Sequence, residues 1–331
     1  MHSNDFFRTD ANTGLSEQFI AAGALCLLST NSESLLQAAR QTFVAVGVSE
    51  EPVEISMRFW ADDHEATECA RPKPYVRGLG HLVFAGFDSH SSLLADLHTC
   101  RVIGRFSAGM AADETYWRTI IFPMLLSIVG GSAGLVELHA SCVAKDGHGL
   151  ILAGPSRSGK STLALALTQR GFRLLSDDRT FCSFRNGEFM AWGLPRPLKL
   201  RRESAEWFDE LRGQEPTAIQ DGERVFHIEQ KDRSAAYCKP RMIVFLERRD
   251  ESVFSIGEME GNAAKYRMEK ELLPEAAEAM ERQEGVLEEL LSLPPLLLRY
   301  GGAPKEIAAQ LAESFENWEQ FHLAGGQWRA S

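Results

Sequence analysis

No apolar run in this 331-residue chain reaches the ~18 residues that a membrane-spanning helix needs. The longest candidate, "TIIFPMLLSIVGG", is short and carries Pro123, so it reads as a buried helix. The first ten residues, "MHSNDFFRTD", lack the basic segment and apolar core of a secretory signal, and a cytoplasmic protein is expected. Paired cysteines are missing too. Cys26, Cys69, Cys100, Cys142, Cys182 and Cys238 are scattered, with no CxxC pair and no zinc spacing. They read as buried reduced thiols rather than a disulfide framework. Positive charge is scarce: 35 Lys and Arg stand against 46 Asp and Glu, for a net charge of −11. That balance argues against nucleic acid and against an anionic membrane surface as partners. Small basic clusters such as "RRES" and "LERRD" leave room only for a local patch. There is no internal repeat and no low-complexity tract.

What remains is an ordinary globular composition, 44% hydrophobic and 24% charged, in a chain long enough for two domains. The first part, residues 1–112, reads as an α+β domain. "ALCLLS" and the alternating "VEISMRFW" are strands, "SESLLQAARQTF" is a helix with Ser32 or Ser34 as its cap, and "HLVFAGF" and "LADLHTCRVIGRFS" are further strands. The polar, proline-bearing "DHEATECARPKPYVRG" reads as a loop. A helix is expected from Asp113 to Val129, and the second domain, residues 113–331, is set to begin there. This second part has an α/β rhythm. It holds strand "ELHASCVA", turn, strand "LILAG", helix "KSTLALALTQR", strand "FRLLS", a hairpin around Asn186-Gly187, strand "RMIVFLER", a helical region broken at Pro274, and a closing strand and helix.

Between "LILAG" and its helix, Gly154-Pro155-Ser156-Arg157-Ser158-Gly159-Lys160-Ser161 fits G-x-x-x-x-G-K-[ST], with Thr162 following. Glycines let backbone wrap a phosphate, and the helix amino terminus supplies positive potential. Lys160 is then expected on the β- and γ-phosphates of ATP, and the Ser161 hydroxyl on Mg²⁺. Seventeen residues beyond Lys160, Asp177 and Asp178 end the strand "FRLLS". If that strand and "LILAG" are parallel neighbours joined by the helix, both acids face the cradle. One can reach the Mg²⁺ and the other can accept the proton of an attacking hydroxyl. A helix cap or turn is the plainer account of adjacent acids. Farther upstream, Asp146-Gly147 reads as a two-residue hairpin turn. Lys145 then pairs with His148, and counting outward sets His139 opposite Gly154. A one-residue slip would turn His139 to the other face, where it would be a core residue.

His139, the GKS, the "RG" that closes the helix and the close DD together resemble the HPr kinase/phosphorylase superfamily, related in fold to PEP carboxykinase. The resemblance implies a P-loop kinase core of that type and phosphoryl transfer to a serine hydroxyl of a peptide or protein. By it Asp177 is the general base, Asp178 assists the metal, and His139 lies beside the reacting phosphate. The stretch "PRPLKL" resembles the branch found with ribosomal peptide gene clusters, including kinases of the carboxyl-terminal serine of lasso-peptide precursors. There Arg196 and Lys199 could contact nucleotide or acceptor phosphate, or could be solvated loop residues. HPr kinases usually carry Glu where this chain has Thr162, and their carboxyl-terminal proline/glycine-rich signature has no counterpart here. An HPr-type protein kinase and a kinase of a small hydroxyl metabolite stay as alternatives. A non-catalytic nucleotide switch is disfavoured, because a switch has no use for a base aimed at an alcohol. The region before residue 113 is the candidate acceptor-binding part, and a homo-oligomer stays open.

Overall fold

A computed structural model describes residues 13–62, 73–194, 198–220, 223–228, 236–272, 277–317 and 327–329. The chain forms two compact units: Met1–Leu135 with Glu275–Glu284, and Val136–Pro274 with Gly285–Ser331.

In the first unit, β1 (Leu15–Ala21) and β2 (Ala24–Thr30) pair across Ala22-Gly23, and α1 (Glu33–Thr42) follows. Ser32 caps α1, its side chain accepting from the Leu35 N–H. β3 (Val44–Val46), β4 (Ile55–Asp62), β5 (Tyr75–Leu79), β6 (Leu82–Gly86), β7 (Ser92–Asp96) and β8 (Arg101–Ser107) complete an eight-stranded sheet, ordered β3-β1-β2-β4-β8-β7-β6-β5. β4 alternates buried and half-buried residues, as its sequence period requires. β5 corrects the sequence reading, which put Tyr75–Gly78 in a loop. It is an edge strand exposed along its whole length, so no buried face writes a period into it. β1 also escaped notice.

α2 (Ala108–Ala112), α3 (Glu114–Tyr116), a π-helical turn (Trp117–Ile121) and α4 (Phe122–Val129) follow. The helix expected from Asp113 to Val129 is there, with a one-turn irregularity. Phe122 N–H bonds Trp117 C=O, five residues back, just before Pro123, which has no N–H to give. Trp117 is fully buried, with ring centroids 5.5 Å from Phe59, 4.7 Å from Phe106 and 5.2 Å from Phe122. This helical segment thereby belongs to the aromatic core of the first unit, and the division falls at Leu135–Val136.

The second unit runs through β9 (Val136–Leu138), β10 (Ala140–Lys145), β11 (His148–Ala153), α5 (Lys160–Thr168), β12 (Arg173–Ser176), β13 (Thr180–Arg185), β14 (Glu188–Trp192), β15 (Leu198–Arg201), α6 (Arg202–Ala205), β16 (Ala218–Gln220), β17 (Glu223–Ile228), β18 (Tyr237–Arg248), β19 (Phe254–Glu258) and α7 (Gly261–Glu271). α8 (Ala277–Ser292), β20 (Pro295–Tyr300), α9 (Pro304–Glu316) and β21 (Gln327–Arg329) complete it, except that α8 as far as Glu284 groups with the first unit. The main sheet is ordered β12-β10-β11-β18-β14-β13-β9, with β20 beside β18 and then β19 and β21. β15, β17 and β16 form a small antiparallel sheet. One core gathers α5 and α9 over the main sheet through Leu163, Leu167, Ile307, Leu311 and Phe315; a second holds Met268, Val286 and Leu290 against Val136, Ile151 and Phe245. Both predicted two-residue turns form, Asp146-Gly147 and Asn186-Gly187, with φ positive at all four residues.

One premise of the sequence reading fails. β11 and β12 are not hydrogen-bonded neighbours, because β10 lies between them and pairs antiparallel with each. Two antiparallel steps leave β11 and β12 parallel to each other. Their carboxyl ends still meet at one edge of the sheet, which is where the P-loop and the aspartates emerge.

Candidate active site

The segment "ELHASCVA", read as one strand, is two. β9 pairs with β13, whereas β10 pairs with β11 and β12, and His139 stands at the change of partner. The β10–β11 register matches the count from the turn, from Lys145↔His148 to Ala140↔Ala153, so His139 and Gly154 are the next positions outward. Freed from a ladder on both sides, the His139 ring turns to the aspartates. Its Nε2 lies 2.9 Å from Asp178 Oδ1.

The loop from Gly154 to Gly159 leads from β11 into α5, whose first turn carries Lys160, Ser161 and Thr162. Gly154 and Gly159 have φ of +147° and +95°, and Arg157 also adopts a positive φ of 69°. A Cβ on Gly159 would stand 2.1 Å from the Tyr300 hydroxyl. Only glycine allows that approach. Tyr300 donates to the Ser158 carbonyl at 2.5 Å, so the end of β20 braces the loop. Pro155, Ser156 and Arg157 are exposed at the rim. Ser158 is buried, and among the described residues its Oγ has no hydrogen-bond partner. A buried orphan hydroxyl inside a glycine-rich turn at a helix amino terminus fits an oxyanion such as a phosphate. Lys160 is buried and its ammonium donates to the Gly154 carbonyl at 2.5 Å and, more loosely, to that of Pro155 at 3.4 Å. Burial pushes its pKa down, against the opposing pull of Glu271, Asp178 and Asp177.

The three residues after β12 point three ways. Asp177 is buried. Its Oδ1 accepts from Ser141 Oγ at 2.9 Å and Ser161 Oγ at 2.8 Å, and its Oδ2 from the Lys199 backbone N–H at 2.9 Å. Burial nevertheless pushes its carboxyl up, outweighing those three donors. Asp178 sits at φ +71°, rare for a residue other than glycine, and this turns its half-exposed side chain out to His139. The His139 hydrogen bond holds Asp178 down at about 2, and the same bond, with Glu271 behind it, lifts His139 to about 9. Arg179 pairs with Glu137 of β9 at 3.1 Å. The turn is stapled by Ser176 Oγ and Thr180 Oγ1, 2.6 Å apart, with Thr180 donating to the Ala140 carbonyl.

Ser161 Oγ and the Asp177 carboxylate are hard oxygen donors of the kind Mg²⁺ takes, with Asp178 adjacent. Among the described residues no group of three or more His, Cys, Asp or Glu could hold a metal by itself. Arg196 lies outside the described residues, and Lys199 reaches the site through its backbone.

The structure brings His139, Lys160, Ser161, Asp177 and Asp178 together. It adds Ser141, Glu271 and Tyr300, which the sequence reading missed. Ser141 lies two residues beyond His139 on β10 and was in principle legible from the hairpin register. Glu271 and Tyr300 come from distant segments and left no local signal.

No family model matches the chain. A 63-residue stretch is 44% identical to the HPr kinase/phosphorylase of Lactobacillus delbrueckii subsp. bulgaricus, covering 19% of this chain and 20% of that protein. Over that stretch the chain is similar to HPr kinase/phosphorylase. The match spans only a fifth of that HPr kinase/phosphorylase's length. A solved Hpr(Ser) kinase/phosphatase from Coxiella burnetii aligns over 55% of this chain and 98% of its own, at 12% identity and a TM-score of 0.29, too low a likeness to bear on function. No helix among the described residues is long and apolar enough to cross a membrane.

Proposed function

We propose that this protein is an ATP- and Mg²⁺-dependent kinase that phosphorylates a serine hydroxyl of a peptide or protein. The observation that carries this is the meeting of a P-loop lysine and serine with two aspartates and a histidine at one sheet edge. In the reaction the acceptor oxygen bonds to the γ-phosphorus, the bond to the β-phosphate oxygen breaks, and the hydroxyl proton leaves to a base. The loop amides and Lys160 hold the phosphates and offset their charge. Ser161 and Asp178 would hold Mg²⁺, which would offset negative charge on the phosphates.

A base works best when its pKa is raised toward the working pH, and a metal-side carboxylate when it stays ionised. Asp177 is the group pushed up and Asp178 the group held near 2, which supports Asp177 as proton acceptor and Asp178 on the metal side. His139 keeps Asp178 oriented and adds positive charge beside the transferring phosphate. One contact favours a second reading with the roles exchanged: the Ser161 hydroxyl lies on Asp177.

The resemblance of "PRPLKL" to the peptide-cluster branch makes the carboxyl-terminal serine of a lasso-peptide precursor the first acceptor to try. Incubating the protein with ATP, Mg²⁺ and such a peptide, an HPr protein or small hydroxyl metabolites, then weighing the products, tests the reading. A phosphate on the peptide or protein serine supports it; phosphate only on metabolites overturns it. Asp177→Asn separates the roles. As base, it loses transfer by about 10²-fold or more with an unchanged Mg²⁺ requirement. In the exchanged reading the Mg²⁺ requirement rises instead.

A further inference from the structure

The site contains one buried carboxylate that neither reading uses. Glu271 is the last residue of α7, and its side chain is 8% exposed. Its backbone carbonyl accepts from the His139 N–H at 2.6 Å, and the next residue, Leu272, bridges to Leu138. This places α7's carboxyl end directly against the change of strand partner at His139. The Glu271 carboxylate returns to the same residue, with Oε2 3.5 Å from His139 Nδ1. Among the described residues that oxygen has no well-formed hydrogen bond. A buried carboxylate costs several kcal/mol unless charge or donors compensate it. Two basic groups of the site lie near it, the His139 imidazole and the Lys160 side chain.

The imidazole therefore has a carboxylate at each nitrogen, Glu271 at Nδ1 and Asp178 at Nε2. Nothing in a packed core calls for that arrangement, because an apolar residue of similar volume would seat the end of α7 without the desolvation cost. A ring hydrogen-bonded at Nε2 and faced by a carboxylate at Nδ1 is favoured in one orientation, with Nε2 addressed to the aspartate turn. We propose that Glu271 is a positioning residue, acting through His139 by holding its Nδ1 edge so that Nε2 meets Asp178. The proposal rests on the kinase reading for its purpose, but its geometry can be measured apart from turnover.

Two variants separate positioning from mere packing. Glu271→Gln keeps an oxygen acceptor in place, whereas Glu271→Ala removes it. Side-chain NMR of the intact protein is expected to show a His139 Nδ1–H proton protected from water exchange in the wild type and in Glu271→Gln, and lost in Glu271→Ala. Absence of that proton in the wild type, or its survival in Glu271→Ala, overturns the proposal. Turnover of ATP supplies the second arm. Outer partners of this kind are worth roughly tenfold or more in activity. Glu271→Ala is expected to lower kcat by about that factor with KM for ATP unchanged, Glu271→Gln to restore most of it, and Glu271→Ala to have no further effect in a His139→Ala background. An equal loss in that background marks Glu271 as structural and overturns the proposal. A wild-type protein that phosphorylates none of the peptide, protein and metabolite acceptors overturns the kinase reading, and the NMR result then decides the positioning role alone.

Discussion

At the scale of single residues, the contact between His139 and Asp178 makes two opposite shifts out of one interaction. His139 rises from 6.5 to about 9, so its share of stability is fully present below 6.5 and is lost as pH climbs through 9. Asp178 falls from 3.8 to about 2, so its share is present above 3.8 and is lost as pH drops through 2. The pair therefore contributes most between those ordinary values, and its half-exposed position keeps the amount small. Thermal unfolding of the wild type and Asp178→Asn should show a melting-temperature gap that is widest near pH 5 and closes toward pH 9. A gap that is constant over that range would contradict the pairing. Asp177 makes a different demand, since it is buried and depends on its donors. Ser141→Ala removes one of them from a buried carboxylate and should cost about 1–3 kcal/mol in urea unfolding.

At the scale of elements, the P-loop is held by more than its own motif. Tyr300→Phe deletes the hydroxyl that satisfies the buried Ser158 carbonyl and should destabilise the protein by about 1–3 kcal/mol. Gly159→Ala forces a Cβ against that hydroxyl at a φ of +95° and should weaken ATP binding measured by calorimetry. If Gly159→Ala binds ATP as the wild type does, the brace is not shaping the cradle. These elements also mark what the sequence could and could not reveal. The two hairpin turns, β11, α5 and the DD pair were legible because each is fixed by local chemistry: a two-residue turn, an apolar run, a glycine cradle. The β10–β11 register followed from one such turn. β5 was illegible because an edge strand exposed on both faces has no buried period. The break between β9 and β10 was illegible because both halves are equally apolar. The position of β10 between β11 and β12 is a matter of sheet order, which no local pattern encodes. Tyr300 and Glu271 reach the site from segments more than a hundred residues past the motif, where a tyrosine in an apolar strand and a glutamate on a helix look ordinary.

For the whole molecule, the two compact units are not two consecutive pieces of chain. The first unit takes residues 275–284 from far downstream, through Arg282 to the Ser132 carbonyl and Gln283 to that of Leu135. A fragment ending at Leu135 lacks both donors and should unfold at lower urea than the same unit within the full chain, read from the fluorescence of its tryptophans. An equal midpoint would mean that the downstream segment adds nothing. The second unit has the same dependence on late sequence. The hydroxyl that braces the cradle comes from Tyr300, 142 residues after Ser158, the residue whose carbonyl it holds. On the ribosome, then, the chain carries its complete phosphate motif and both aspartates long before it can use them. Competence for nucleotide should switch on only after β20 has left the exit tunnel, which would make nucleotide capture a late event in synthesis.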